Sequence, residues 1–245
     1  MKKSIYLTVI SIITIACIIV GTCFHVIFGF GGFIQNVISS RYEFLNNSDT
    51  SNESYSDSNI TLDSFKNIVI DTDVIDITVV SDDNFSYSLE CTKKLTPSIS
   101  VTNDTLNITQ GGIKNINIFG LHQNFKCKMK LTVPSGTTLN SANITSDVGN
   151  IKINNVSFSN MAISTDVGNI DISGITFDKL KITSDVGNIN MSDIDGINAC
   201  DMNIASDIGK INYLGTTYRN NCNISSANAE KSVTITTDVG NIDIK

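Results

Sequence analysis

Five aspartates occupy one place in a recurring phrase: Asp147 in SDVGNIKI, Asp166 in TDVGNIDI, Asp185 in SDVGNINM, Asp207 in SDIGKINY and Asp238 in a second TDVGNIDI. Carboxylates repeated in this way suit two kinds of chemistry. Stacked on one another they repel, and a calcium ion held between them relieves the repulsion. Alternatively, each carboxylate accepts a backbone N–H two residues on and closes an Asx-turn. Calcium-binding β-rolls use a nonapeptide with several glycines. A longer unit with a single corner Asp does not match that pattern, so a structural corner is the favoured reading and a calcium ladder the lesser one.

Little else in the chain suggests reactivity. His25 lies within an apolar run and His122 stands alone in GLHQNF. Neither has an identifiable nucleophile and orienting acid beside it. Phosphate-cradling glycine loops and H-E-x-x-H are absent. A polysaccharide-acting β-helix enzyme would gather its acids in one cleft. Here the acids are evenly spaced, the only arginines are Arg41 and Arg219, and there is no Trp for sugar stacking. The expectation is no enzyme and no cofactor.

Four cysteines, Cys91, Cys127, Cys200 and Cys222, lie outside the apolar run and allow three connectivities. Cys200 and Cys222 are 22 residues apart, the interval from Asp185 to Asp207. That spacing sets them on adjacent coils and leaves Cys91 with Cys127. Buried free thiols are an equal alternative. No C-x-x-C pair favours zinc.

The elements that position the aspartates follow from periodicity. The intervals between the five are 19, 19, 22 and 31 residues. Apolar pairs precede each Asp, as in Met161/Ile163 and Leu180/Ile182, and others follow it, as in Ile170/Ile172 and Ile189/Met191. A period of two on both sides of a turn predicts strands with one buried face. A third pair, Val156/Phe158 and Ile175/Phe177, predicts three strands in each coil. At the corner, Gly149, Gly168, Gly187, Gly209 and Gly240 are expected at positive φ. The Val or Ile before each is expected to point inward. Asn150, Asn169, Asn188 and Asn241 are expected to form an amide ladder, broken once by Lys210. The Ser or Thr before each Asp is read as ladder-forming. Ile68–Val79 fits the same frame with Ile75 in place of Gly, and 112–118 echoes its second half.

Units this short must stack to bury their apolar faces. The predicted fold is all-β: a single-stranded parallel β-solenoid, β-helix-like, with about 19–22 residues per coil. Some 180 residues would give about nine coils and a rod on the order of 40 Å. A β-sandwich is the distant second.

The apolar run over residues 5–28 has no charged residue and exceeds the roughly 20 residues that span a bilayer. An uncleaved helical anchor is favoured over a cleaved signal or lipidation at Cys17. Lys2 and Lys3 place its start in the cytoplasm, so the chain beyond the anchor is exported. The expected organisation is 1–35 cytoplasmic tip and transmembrane helix, 36–62 flexible Ser/Asn/Asp-rich linker, and 63–245 extracellular domain. The exported part holds all 24 Asp and Glu but 15 of the 17 Lys and Arg, a net charge of −9. Such a surface repels nucleic acid.

The reiterated [ST]-D-[VI]-G-[NK]-I-x-[IM] phrase, the strand before it and the N-terminal anchor resemble the putative-adhesin family of β-strand-repeat domains of unknown function. LiaG-like Gram-positive envelope proteins belong to that family. The resemblance covers about residues 63–245 and supplies no catalytic residues. It implies a surface-exposed solenoid in adhesion or in sensing envelope damage, and the expected partner of a binding module is a protein or glycan. The alternative is an envelope-stress or scaffolding role through a membrane partner or self-association. The chain ends in VGNIDIK, and an uncovered final coil would leave an edge for end-to-end pairing.

Overall fold

Strict apolar alternation around each corner dictates strands, and strands are what form. The structure, a computed structural model, describes residues 53–111, 126–226 and 229–245. The chain begins with β1 (Ser54–Thr61), β2 (Asn67–Val74), β3 (Asp76–Asp82), β4 (Ser86–Thr92), β5 (Ser98–Thr102), β6 (Thr105–Thr109) and β7 (Cys127–Pro134). Regular repeats come next as β8 (Thr138–Val148) with β9 (Ile151–Asn154), β10 (Ser157–Val167) with β11 (Ile170–Ser173), and β12 (Lys179–Val186) with β13 (Ile189–Ser192). The remainder is β14 (Asp201–Ile208), β15 (Ile211–Tyr213), β16 (Thr216–Tyr218), β17 (Asn221–Ile224), β18 (Ser232–Val239) and β19 (Ile242–Ile244).

Each coil is a long strand, a bend at the Gly-Asn corner, and a shorter strand. It has two walls, not the three expected. Phe158 lies within the next long strand, β10, so the third apolar pair leads into the following coil. Long strands stack in one sheet, ordered β17-β14-β18-β12-β10-β8-β2-β6-β5. Short strands stack in the other, ordered β1-β4-β7-β3-β9-β11-β13-β19-β15-β16.

Between the walls lie registered rows of isoleucine. Ile70, Ile144, Ile163, Ile182, Ile235 and Ile204 form one row. Ile77, Ile151, Ile170, Ile189, Ile242 and Ile211 face them from the other sheet. All are buried. Each contributes about 1.5–3 kcal/mol by leaving water, and the β-branched side chains suit a pleated wall.

The all-β class and the parallel stacking of coils match the repeat, but three expectations change. First, the sheets are mixed. β1, β4 and β7 pair antiparallel at one end, as do β5 and β6. At the other end β15 pairs antiparallel with β16, and β14 with β17. These hairpins take up residues that a uniform solenoid would wind, so six corner-linked coils form instead of about nine.

Second, the coils do not stack in chain order. The β18–β19 coil lies between the β12–β13 and β14–β15 coils. The 22-residue interval, with a 3-10 turn at Ile197–Ala199, carries β14 one place beyond its neighbour. The 31-residue interval forms β16 and β17 before the chain returns to fill the gap. β19 is therefore flanked by β13 and β15, and the open terminal edge expected from VGNIDIK does not exist.

Third, the linker is shorter than its composition implies. Ser54–Thr61 pairs with β4 as an edge strand. Its polar residues face solvent and only Tyr55 packs on the core, so the strand needs little apolar content. Among the described residues the paired strands thus reach back to Ser54, ahead of the residue 63 expected. The apolar run 5–28, the rest of the linker, the 112–118 echo, His25 and His122 lie outside the described residues. Among the described residues no helix is long and apolar enough to cross a membrane.

Candidate functional site

At every corner the long strand ends in Asp-Val or Asp-Ile, and the in-register pairing of coils turns those residues into rows. Val74, Val148, Val167, Val186, Val239 and Ile208 stand in one line. Asp147, Asp166, Asp185, Asp238 and Asp207, in that spatial order, run beside them. Asp73 precedes Asp147 and adds a sixth carboxylate that the phrase alone did not single out.

The rows obey a mechanical logic. Asp76 Oδ1 accepts the Asn150 N–H at 2.9 Å and its Nδ2 at 3.0 Å. Asn150 does the same for Asn169, Asn169 for Asn188, and Asn188 for Asn241. Finally, Asn241 Oδ1 accepts the Lys210 backbone N–H at 3.0 Å. The ladder predicted for the asparagines is present, and Lys210 ends it rather than breaking it. An acceptor-only Asp suffices at the first rung. A Lys, which has no acceptor, suffices at the last.

This ladder yields a testable contrast. Asn169→Ala removes one donor and the acceptor for two others, and should cost about 1–2 kcal/mol. Asp76→Asn keeps the needed acceptor and should be nearly neutral. Urea unfolding with an unchanged denaturant slope would measure both.

Glycine is required here by close approach, not by positive φ as the sequence suggested. Among the five corner glycines only Gly149 has a positive φ, at 155°. A Cβ on Gly168 would lie 1.9 Å from the Gly149 carbonyl oxygen, and one on Gly187 would lie 1.9 Å from that of Gly168. Gly240 and Gly209 would each meet the rung below at 1.8 Å. Ile75 escapes because its rung is the first of the corner-linked ones, with no corner carbonyl beneath it among the described residues. On that outer side Gln110 Oε1 accepts the Val74 N–H at 2.7 Å.

The Ser or Thr before each Asp is buried. Ser206 donates to the Gly240 carbonyl at 2.8 Å and Thr237 to that of Gly187 at 3.5 Å. Ser146, Thr165 and Ser184 have no partner among the described residues.

The aspartates themselves do no comparable work. Among the described residues none of the five corner carboxylates accepts a backbone N–H, so the predicted Asx-turn does not form. Its donor is already taken: the Gly149, Gly168, Gly187 and Gly240 N–H groups bond to Val167, Val186, Val239 and Ile208 on the next rung. Nor does any of the five form an ion pair; the three pairs present among the described residues are Lys93–Glu53, Lys130–Asp82 and Lys245–Asp243. No three His, Cys, Asp or Glu side chains among the described residues are grouped to hold a metal ion. The corner Val and Ile also depart from expectation by facing outward. They are 38% exposed at Val148, 48% at Val167, 46% at Val186, 41% at Val239 and 67% at Ile208. An open groove follows them past Gly168 and Asn169.

Burial, then the charges of Asp166, Asp73 and Asp71, push the Asp147 carboxyl above its ordinary range. The folded state therefore binds this proton more readily than the unfolded chain, and ionisation at neutral pH disfavours folding. Asp147→Asn is expected to be at least as stable as the parent at pH 7. The difference should close as pH falls through the raised value toward the ordinary one near 4. Thermal unfolding from pH 7 to 3 would follow it.

Cys91 and Cys127 are directly opposed on β4 and β7 and form a disulfide. Cys200 and Cys222 are free and buried. Cys222 is opposite Ile204, four residues from Cys200. That offset is about 13 Å along the strand, beyond disulfide reach. Burial raises both thiols.

A family model described as Toastrack DUF4097 matches residues 65–245. A solved structure from Clostridium sporogenes, described as a putative cell adhesion protein, is similar with a TM-score of 0.63 at 14% identity, covering 79% of this chain and 99% of its own. Another, described as a putative adhesin from Bacteroides fragilis, has a TM-score of 0.37 at 15% identity, covering 80% of this chain and 99% of its own. No curated protein matches the chain significantly.

Proposed function

Because the chain belongs to the Toastrack DUF4097 family, we propose that it is a surface-exposed, non-catalytic binding module of the adhesin type, held by a membrane anchor at residues 5–28. The observation that carries this reading is the distribution of its corner aspartates. They stand one to a rung along an open ridge, and a catalytic cleft would concentrate them. The solved relative described as a cell adhesion protein supports it. The Cys91–Cys127 disulfide suits an oxidising, extracellular location.

A solved chain consists of this fold over 99% of its length. We infer from this that residues 53–245 fold without the chain before them.

Protease applied to intact bacterial cells making the full chain tests the reading. It should release a fragment of about this span, and that fragment, fixed to beads, should capture a protein or glycan without altering it. Protection of the domain on intact cells would contradict surface display. Turnover of a captured polysaccharide would make it an enzyme.

A further inference from the structure

The exposed apolar residues of this domain are concentrated in one place. Eight large hydrophobic residues are exposed among the described residues, and five of them are the corner Val and Ile, in register on five successive rungs. Val74 extends the line to a sixth. Scattered exposed apolar side chains need no explanation, but a contiguous row with a polar border marks an interaction surface.

The two borders of the row differ. On one side are four asparagine amides bonded to one another, with Asp76 before them and Lys210 after them and Lys126 and Lys128 at the Val74 end of the groove. On the other are the six aspartates, without an ion pair among the described residues. The corner ones cap nothing. Glycine, asparagine and serine or threonine already account for the corner's mechanics. The Asp-Val dipeptide is left over, and it is the part that faces out.

Dimensions define what fits. Six rungs at about 4.8 Å give a ridge about 24 Å long. An α-helix laid along the stack advances about 5.4 Å per turn, so one apolar side chain per turn meets successive rungs, and about 16 residues cover the ridge. An extended strand in that direction advances about 6.6 Å per two residues and falls out of step sooner. The partner's flank must be cationic to meet the aspartates.

We propose that the stacked Val and Asp residues of the corner ridge seat a short cationic amphipathic helix lying along the solenoid axis. This rests on the binding-module reading and specifies its partner. The apolar face of the helix covers the valines, and lysine or arginine on one flank pairs with the aspartates.

The probe is a fluorescent 16-residue peptide with leucine at helical spacing and lysine elsewhere, titrated against residues 53–245 and followed by anisotropy. The expected result is micromolar binding that weakens with salt. It should fall at least tenfold in a triple variant Val167→Thr, Val186→Thr, Val239→Thr. A similar loss is expected for Asp166→Asn, Asp185→Asn, Asp238→Asn. All six side chains face outward, so circular dichroism should show both variants folded. A second peptide with glutamate in place of every lysine should not bind.

No binding of the lysine peptide, equal binding by the valine variant, or equal binding of the glutamate peptide would each overturn the proposal. So would capture of the domain by phosphatidylcholine vesicles through the same valines, since the ridge would then be a lipid contact. Failure of the peptide with surface capture intact would reject this partner and leave the binding-module reading standing.

Discussion

Gly187→Ala is expected to leave no stably folded domain. Its Cβ would lie 1.9 Å from the Gly168 carbonyl oxygen, where contact needs about 3.2 Å or more. The rungs cannot part to admit it. The Gly187 N–H bonds to Val239 at 3.0 Å on one side, and the Gly168 N–H bonds to Val186 at 3.0 Å on the other. Relief would break several ladder bonds at once, so the loss should reach about 4 kcal/mol or more, at the extreme for single substitutions. A domain holds only about 5–15 kcal/mol in total. Gly215→Ala is the control. It has φ +83° and nothing within 4 Å of its Cβ, so only the left-handed backbone is strained, at about 1–2 kcal/mol. Urea unfolding followed by circular dichroism would separate the two. Equal mild losses would show that the corner glycines do not stack.

Removing residues 232–245 should be as damaging, although it deletes only one coil. β14 pairs with β17 and β18, and β15 with β16 and β19. Among the described residues, the β18–β19 coil is thus the only strand connection between residues 201–224 and the rest of the stack. Its Val233, Ile235, Ile242 and Ile244 are all at most 1% exposed. At about 1.5–3 kcal/mol each, their loss rivals the stability of a whole domain. The expected result is rapid proteolysis of 201–224 and no cooperative thermal transition. A truncated chain that still unfolds in one sharp transition near the parent temperature would contradict the inserted position of this coil.

The sequence disclosed the architecture unevenly, for physical reasons. Alternation around SDVGNIKI and its relatives made the strands, the buried isoleucine rows and the asparagine ladder legible, because each depends on local spacing alone. Rung order depends on which coil returns to which gap, and five nearly identical phrases carry little of that information. The clue was present in the departures: Ile75 and Asp76 mark the first corner-linked rung of the stack, and Lys210 marks the last.

The Asp-Val surface was misjudged because a turn aspartate usually caps and a turn valine usually buries. Here the Gly N–H groups are committed to the next coil, so the cap was not available, and the corner valines face outward. β1 escaped notice because an edge strand with one packed side chain, Tyr55, has almost no apolar signature.

The role of residues 232–245 depends on the order of the rungs, and paired cysteines read that order directly. Thr183 is opposite Thr236, and Thr236 is opposite Ala205. Neighbouring parallel strands are about 4.8 Å apart, within the Cα span of a disulfide, and strands two rungs apart are not. In residues 53–245, Thr183→Cys with Thr236→Cys should cross-link on mild oxidation, as should Ala205→Cys with Thr236→Cys. Thr183→Cys with Ala205→Cys should stay reduced. Cross-linking of that last pair, with Thr183→Cys and Thr236→Cys staying reduced together, would mean that the coils stack in chain order and that residues 232–245 are not inserted between their neighbours.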